Sequence, residues 1–138
     1  MINVIVGNKG SGKTKKLISM VNEAVEVSKG NVVCLEKGLK LTYDLNYKAR
    51  LIDTDVYGIS TYDELYSFIC GIAASDHDIT DLFVDATLKI GGADYNDLMH
   101  FFDRLSVIAE ESNTKFVFTV SCDATDLPDG IQSLINIL

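Results

Sequence analysis

Gly7-Asn8-Lys9-Gly10-Ser11-Gly12-Lys13-Thr14 is the stretch from which the rest of the chain is read. It fits the spacing G-x-x-x-x-G-K-[ST]. Ile2, Val4, Ile5 and Val6 precede it as a short apolar run, the pattern of a buried strand. Leu17, Met20, Val21, Ala24 and Val25 follow at helical spacing and mark one apolar face of a helix. Strand, glycine loop and helix in that order make an anion cradle. Glycines at 7, 10 and 12 carry no Cβ, so the backbone can take unusual dihedrals and close on a ligand. Successive N–H groups then point inward. The helix opening near Lys13 adds its own unpaired N–H groups and the positive end of its dipole.

In such a cradle the Lys13 amine reaches the β- and γ-phosphates of a nucleotide and the Thr14 hydroxyl ligates Mg²⁺. The basic residues agree with this. Residues 1–50 carry nine Lys or Arg against four Asp or Glu, whereas residues 51–138 carry three against sixteen, within a net charge of −8. Lys9, Lys13, Lys15 and Lys16 surround the loop, which suits a polyphosphate. The acidic remainder argues against a large nucleic-acid footprint, which needs a basic surface.

The length of 138 residues suits a single domain, 1–138, with a real core. There is no linker, repeat or low-complexity segment. No apolar run is long enough to span a membrane, and the first residues lack the segments of a secretory leader. Cys34, Cys70 and Cys122 are far apart, form no C-x-x-C pair and sit in apolar stretches. They read as buried free thiols, and the location expected is the cytoplasm. His77 and His100 have no second histidine or cysteine nearby and read as surface residues rather than metal ligands.

Further along, Val32–Leu35 form a second apolar run ending at Glu36. From Leu39 to Leu51, apolar and polar residues alternate with a period of two. With Asp44-Leu45-Asn46 as a turn, this predicts a β-hairpin whose apolar face covers the domain core or meets a second copy or a protein partner. Val56–Ser60 is a candidate short strand. Thr61 and Glu64 have capping-box spacing ahead of a helix face at Leu65, Phe68, Ile69, Ile72 and Ala73. Ile79 and Leu82-Phe83-Val84 lead to Asp85 as a third buried strand. Gly91-Gly92 reads as a loop. Asp94 caps a helix carrying Leu98, Phe101, Phe102, Leu105, Ile108 and Ala109, and Phe116–Val120 is a fourth buried strand. Pro128 opens a terminal helix with Ile131, Leu134, Ile135 and Leu138. Strands alternating with helices predict a three-layer α/β fold. Its sheet is mainly parallel, with helices on both faces and the hairpin after the second strand. Ligands bind such sheets at the carboxyl ends of strands, which singles out Glu36, Asp85, Thr119 and Ser121.

With the loop as a Walker A motif and Leu82-Phe83-Val84-Asp85 as a Walker B strand, the chain resembles the P-loop nucleoside triphosphatases along most of its length. The form of the loop, with a Walker B strand well downstream, is similar to that of the RecA-like and related ATPases. The layout also resembles type II thymidine kinases, with a hairpin after the second strand and Ser60-Thr61 before a helix. The resemblance implies Mg-ATP as ligand, the Gly7–Thr14 loop on its phosphates, and Thr14 and Asp85 at the metal. It also implies Lys13 as a catalytic cation. Ala86 departs from the pattern, because many relatives place a glutamate directly after the Walker B aspartate, and this counts against a nucleoside kinase. In the RecA-like group the base can stand at the end of the second strand, where Glu36 is found. Thr119 or Ser121 takes the place of a polar sensor. No cysteine tetrad of a zinc lasso is present, and no Asn/Thr-Lys-x-Asp signature for guanine. Arg50 and Arg104 are the only arginines, so a chain without an arginine finger would turn over slowly. Three functions stay open: a slow or partner-stimulated ATPase, a small kinase, and a nucleotide-binding assembly or switch subunit with little catalysis.

Overall fold

Runs of Val, Ile, Leu and Phe too short for helices become the sheet, and the longer amphipathic stretches become its covering layers. The computed structural model describes residues 2–138. Within them lie β1 (Ile2–Val6), α1 (Lys13–Val27), β2 (Asn31–Glu36), β3 (Arg50–Asp53) and α2 (Tyr62–Ser75). The chain continues through β4 (Ile79–Asp85), α3 (Thr87–Gly91), α4 (Tyr95–Glu111), β5 (Lys115–Val120) and β6 (Ile135–Ile137). The six strands form one sheet in the order β3-β2-β4-β5-β1-β6, and every pairing is parallel. Parallel neighbours need crossover connections, and right-handed crossovers in opposite directions put their helices on opposite faces.

The core divides accordingly. Ile5, Val32, Cys34, Phe83 and Val117 point to the side of α1, where Leu17, Val21 and Ala24 meet them. Val4, Val33, Leu35, Leu82, Val84, Phe116 and Phe118 point to the other side, under α2 and α4. There Phe118 packs edge-on against Phe101 and Phe102, with centroids 5.7 and 5.2 Å away. The helix starts of this layer are capped as their sequence predicts. Thr61 accepts from the Glu64 N–H, and Asp94 from the N–H groups of Asn96 and Asp97. Cys34 and Cys122 are buried and Cys70 is half-buried, all three as free thiols. Among the described residues no helix is long and apolar enough to cross a membrane.

Four expectations are corrected. Gly91, read as a loop with Gly92, is the last residue of α3, and only Gly92 lies beyond it. The predicted hairpin is absent. Residues 37–49 form successive turns, closed by bonds such as Leu45 N–H to Leu41 O (3.1 Å) and Ala49 N–H to Asn46 O (2.9 Å). Only Arg50–Asp53 is a strand, and it runs parallel to β2. The alternation misled because burial there follows a spacing of four. Leu41, Leu45 and Ala49 are buried beside α1, whereas Leu39 is exposed and Tyr43 and Tyr47 are 98% and 89% exposed. Asn22 of α1 fixes the segment, donating to Asp44 O and accepting from the Asn46 N–H. Residues 56–60 form no strand, with 56–58 in turns, because the Asp53 carboxylate accepts from the Asp55 N–H and bends the chain back. No terminal helix forms after Pro128. A 3₁₀ turn at Ile131–Ser133 leads into β6, which pairs with the open edge of β1. A single short amphipathic helix gains less there than a sheet edge with its ladder bonds satisfied.

The burial pattern of residues 37–49 predicts a clear contrast. Leu41→Ala or Leu45→Ala is expected to lower stability by about 2–4 kcal/mol in urea unfolding. Tyr43→Ala and Tyr47→Ala should stay within about 0.5 kcal/mol of wild type.

Candidate functional site

The loops after β1 and β4 leave the sheet toward opposite faces, and β5 lies between those strands. This opens a crevice over the carboxyl edge of the sheet. The result is a cleft of about 710 Å³ lined by Lys9, Gly10, Lys13 and Thr14 on one side. Across from them stand Glu36 to Leu41 without Leu39, together with Asp55, Asp85, Ala86, Lys89 and Ser121.

The Gly7–Thr14 loop is shaped by its glycines. Gly10 and Gly12 hold φ of 86° and 90°, a region costly for other residues. A Cβ on Gly7 would overlap the Ser11 side chain. Ser11 N–H donates to Asn8 O at 3.0 Å, closing the turn. The Lys13 side chain is buried and curls back, its Nζ donating to Asn8 O at 3.2 Å. At Gly12, α1 begins without a side-chain cap and without an acid in its first turn. Its first residues include Lys13, Lys15 and Lys16, cations at the positive end of a dipole. The capped, acid-bearing starts of α2 and α4 are the opposite case. An anion at the start of α1 satisfies both its free N–H groups and its lysines.

Opposite the loop, Asp85 ends β4 as a buried carboxylate. Its Oδ1 accepts from Thr119 Oγ1 at 2.6 Å and from Thr14 Oγ1 at 3.4 Å. The three oxygen-bearing side chains come from β4, β5 and α1, and register places them together. Thr119 lies beside Ile5, and Val84 beside Phe118. Glu36 is the direct lateral neighbour of Asp85 in the parallel ladder. It is only 4% exposed, and its Oε1 accepts from the Leu41 N–H at 3.2 Å. Burial pushes the Glu36 carboxyl above the usual range, and the charge of Asp85 adds to this. The Leu41 N–H and Lys40 oppose the rise. Burial likewise pushes the Cys122 and Cys34 thiols up, so both stay protonated and inert.

Most residues singled out from the sequence therefore meet. Lys9, Gly10, Lys13, Thr14, Glu36, Asp85 and Ser121 share the cleft. Thr119 sits beneath it, bonded to Asp85. Arg50 does not join them. It lies at the amino end of β3, away from the carboxyl edge, and is exposed. His77 and His100 are exposed and outside the cleft. Sequence reasoning missed Lys37, Lys40, Asp55 and Lys89. Lys37 and Lys40 directly follow a strand end already singled out, and Lys89 follows Asp85 by about one helical turn, so strand-end logic extended by four residues would have found three of the four. A comparison with known proteins gives no matching family model and no matching curated protein.

Two expectations follow. A carboxyl whose folded-state pKa is raised binds its proton more tightly folded than unfolded. Stability is then lost as pH rises from the ordinary glutamate range through the raised value. Glu36→Gln, which can still accept from Leu41, should be more stable than wild type at neutral pH, with the gap closing in acid. Denaturation curves across pH check this, and a pH-independent gap contradicts it. Thr87, just beyond Ala86, is fully buried and its hydroxyl has no partner among the described residues. Thr87→Val is expected to raise stability by roughly 1 kcal/mol, because it removes an unpaired polar atom without changing shape.

Proposed function

We propose that this chain is a P-loop nucleotide-binding protein that takes Mg-ATP at the Gly7–Thr14 loop and hydrolyses it slowly. One observation carries the reading. The glycine loop and the uncapped start of α1, which carries Thr14, meet the Asp85 carboxylate at a single cleft, with Thr119 bonded to that carboxylate from beneath. The donor set fits Mg²⁺, since a hydroxyl and a carboxylate already drawn together are hard oxygen ligands. Thr14 and Asp85 would hold the ion, and Thr119 would fix the carboxylate by donating to it. Bound there, Mg²⁺ neutralises phosphate charge and orients the phosphate oxygens.

The chain's own groups do the remainder. The first N–H groups of α1 and the loop amides bind the phosphate oxygens. Lys13 gives up its bond to Asn8 O and donates to the β- and γ-oxygens, placing a cation where negative charge builds. Water attacks the γ-phosphorus in line as the bond to the β-bridging oxygen breaks, and Glu36 accepts the water's proton. A carboxyl raised above its usual range is a better base for this task. Among the described residues lining the cleft none is an arginine, which accords with slow turnover. ATP is taken as the default nucleotide, since no guanine-reading signature is present.

A second reading, a small kinase, has its own support. Glu36, Lys37, Gly38, Lys40, Leu41 and Lys89 share the cleft with the loop, where an acceptor would sit. Ala86 stands against it.

Phosphate release from γ-labelled ATP with Mg²⁺ tests the proposal. Lys13→Ala is expected to lower the rate by at least about a hundredfold. Glu36→Gln should lower kcat while leaving nucleotide affinity near wild type. Equal release by wild type and Lys13→Ala would remove the hydrolase reading.

A further inference from the structure

The cleft is wider than a triphosphate needs. β1 and β2 are three strand spacings apart in the sheet, so their carboxyl ends are separated by about 14 Å. A phosphate chain lying on the start of α1 and ending at Thr14 and Asp85 uses the part over β1, β5 and β4. The part over β2 and β3 remains, walled by Lys37, Gly38, Lys40, Leu41, Asp55 and, from α3, Lys89.

The charges of this compartment are unequally committed. Lys37 is paired with Asp55 at 2.7 Å. Asp53, at the end of β3, spends Oδ1 on the N–H groups of Gly38 and Asp55. Glu36 accepts from the Leu41 N–H. Among the described residues Lys40 and Lys89 have neither an ion pair nor a side-chain hydrogen bond, and both are exposed to the cleft. Both stand on firm supports. Lys40 precedes Leu41, which is buried and bonded to Glu36. Lys89 lies on α3, whose Gly91 packs under the Tyr62 ring while the Tyr62 hydroxyl donates to Gly92 O at 2.7 Å.

Two unpaired ammonium groups, carried on flexible stems by different walls of the cleft, suit a compact, doubly charged group. The lining offers no guanidinium fork for planar, two-pronged recognition of a carboxylate, and lysine serves phosphate as a point charge. We propose that the part of the cleft over β2 and β3 is a second binding site, for a small molecule bearing a phosphate group, with Lys40 and Lys89 as its charge contacts. The site rests on the triphosphate reading of the Gly7–Thr14 loop, which fills the other half.

The test uses the full chain with Mg²⁺ and a saturating non-hydrolysable β,γ-imido analogue of ATP, titrated with inorganic phosphate by calorimetry. One saturable equivalent of phosphate is expected on top of the bound analogue. The double variant Lys40→Ala/Lys89→Ala should weaken it at least about tenfold, the scale of a lost charged contact. Lys48→Ala, outside the cleft, should leave it unchanged. Phosphate that fails to bind the analogue complex, that binds the double variant equally well, or that is matched in affinity by acetate overturns the second site while leaving the nucleotide reading intact. Failure of the analogue itself to bind defeats the nucleotide reading first and the second site with it.

Discussion

Every strand of this sheet runs the same way, and that single constraint collects the chemistry. A parallel strand can be left only from its carboxyl end and entered only from its amino end. The loops after β1, β2, β3, β4 and β5 therefore all emerge along one edge. Residues as distant in sequence as Lys13, Glu36 and Asp85 come to line one cleft without any of them seeking another. The carboxylate of Asp85 sits at the middle of that edge. It is one strand from Thr119 and one strand from Glu36, so the hydrogen bond on one side and the like charge on the other are both consequences of register.

Much of this was legible because it is local or periodic. The strand, glycine loop and helix of residues 2–27 follow from an apolar run, a spacing and a helical face. Asp94 and Thr61 announced their helices by residue type. Asp85 and Glu36 followed from one rule about strand ends. The illegible parts were those settled by a competing surface. Residues 37–49 carry enough alternation for a hairpin, yet the groove beside α1 accepts side chains four apart and takes Leu41, Leu45 and Ala49. Ile131, Leu134 and Ile135 have helical spacing, yet the unpaired edge of β1 was a better partner, and no window of sequence that short contains β1. The short helix α3 gave no signal because Gly91 looks like a loop residue until the Tyr62 ring that needs its missing Cβ is in place.

Glu36 illustrates a tension between scaffold and chemistry. The bond from the Leu41 N–H anchors the segment that closes one wall of the cleft. The same carboxyl, beside Asp85, is the one proposed to take a proton. One oxygen serves architecture, and burial that makes the group a stronger base also makes its ionised form a cost to the fold. A site of this kind would resist being both very stable and very reactive, and the slow turnover proposed for it is in keeping with that.

The placement of β6 has a consequence for how the molecule comes into being. β1 is the first of the six strands to be made, and both of its neighbours, β5 and β6, come from residues 115–137. Such distant pairings form late, since a long stretch of chain must be closed before they return any energy. A chain made as far as β4 thus displays the glycine loop while β1 still lacks both of its strand partners. The loop acquires its cleft only once β5 has joined β1 to β4, so the site and the middle of the sheet are completed together.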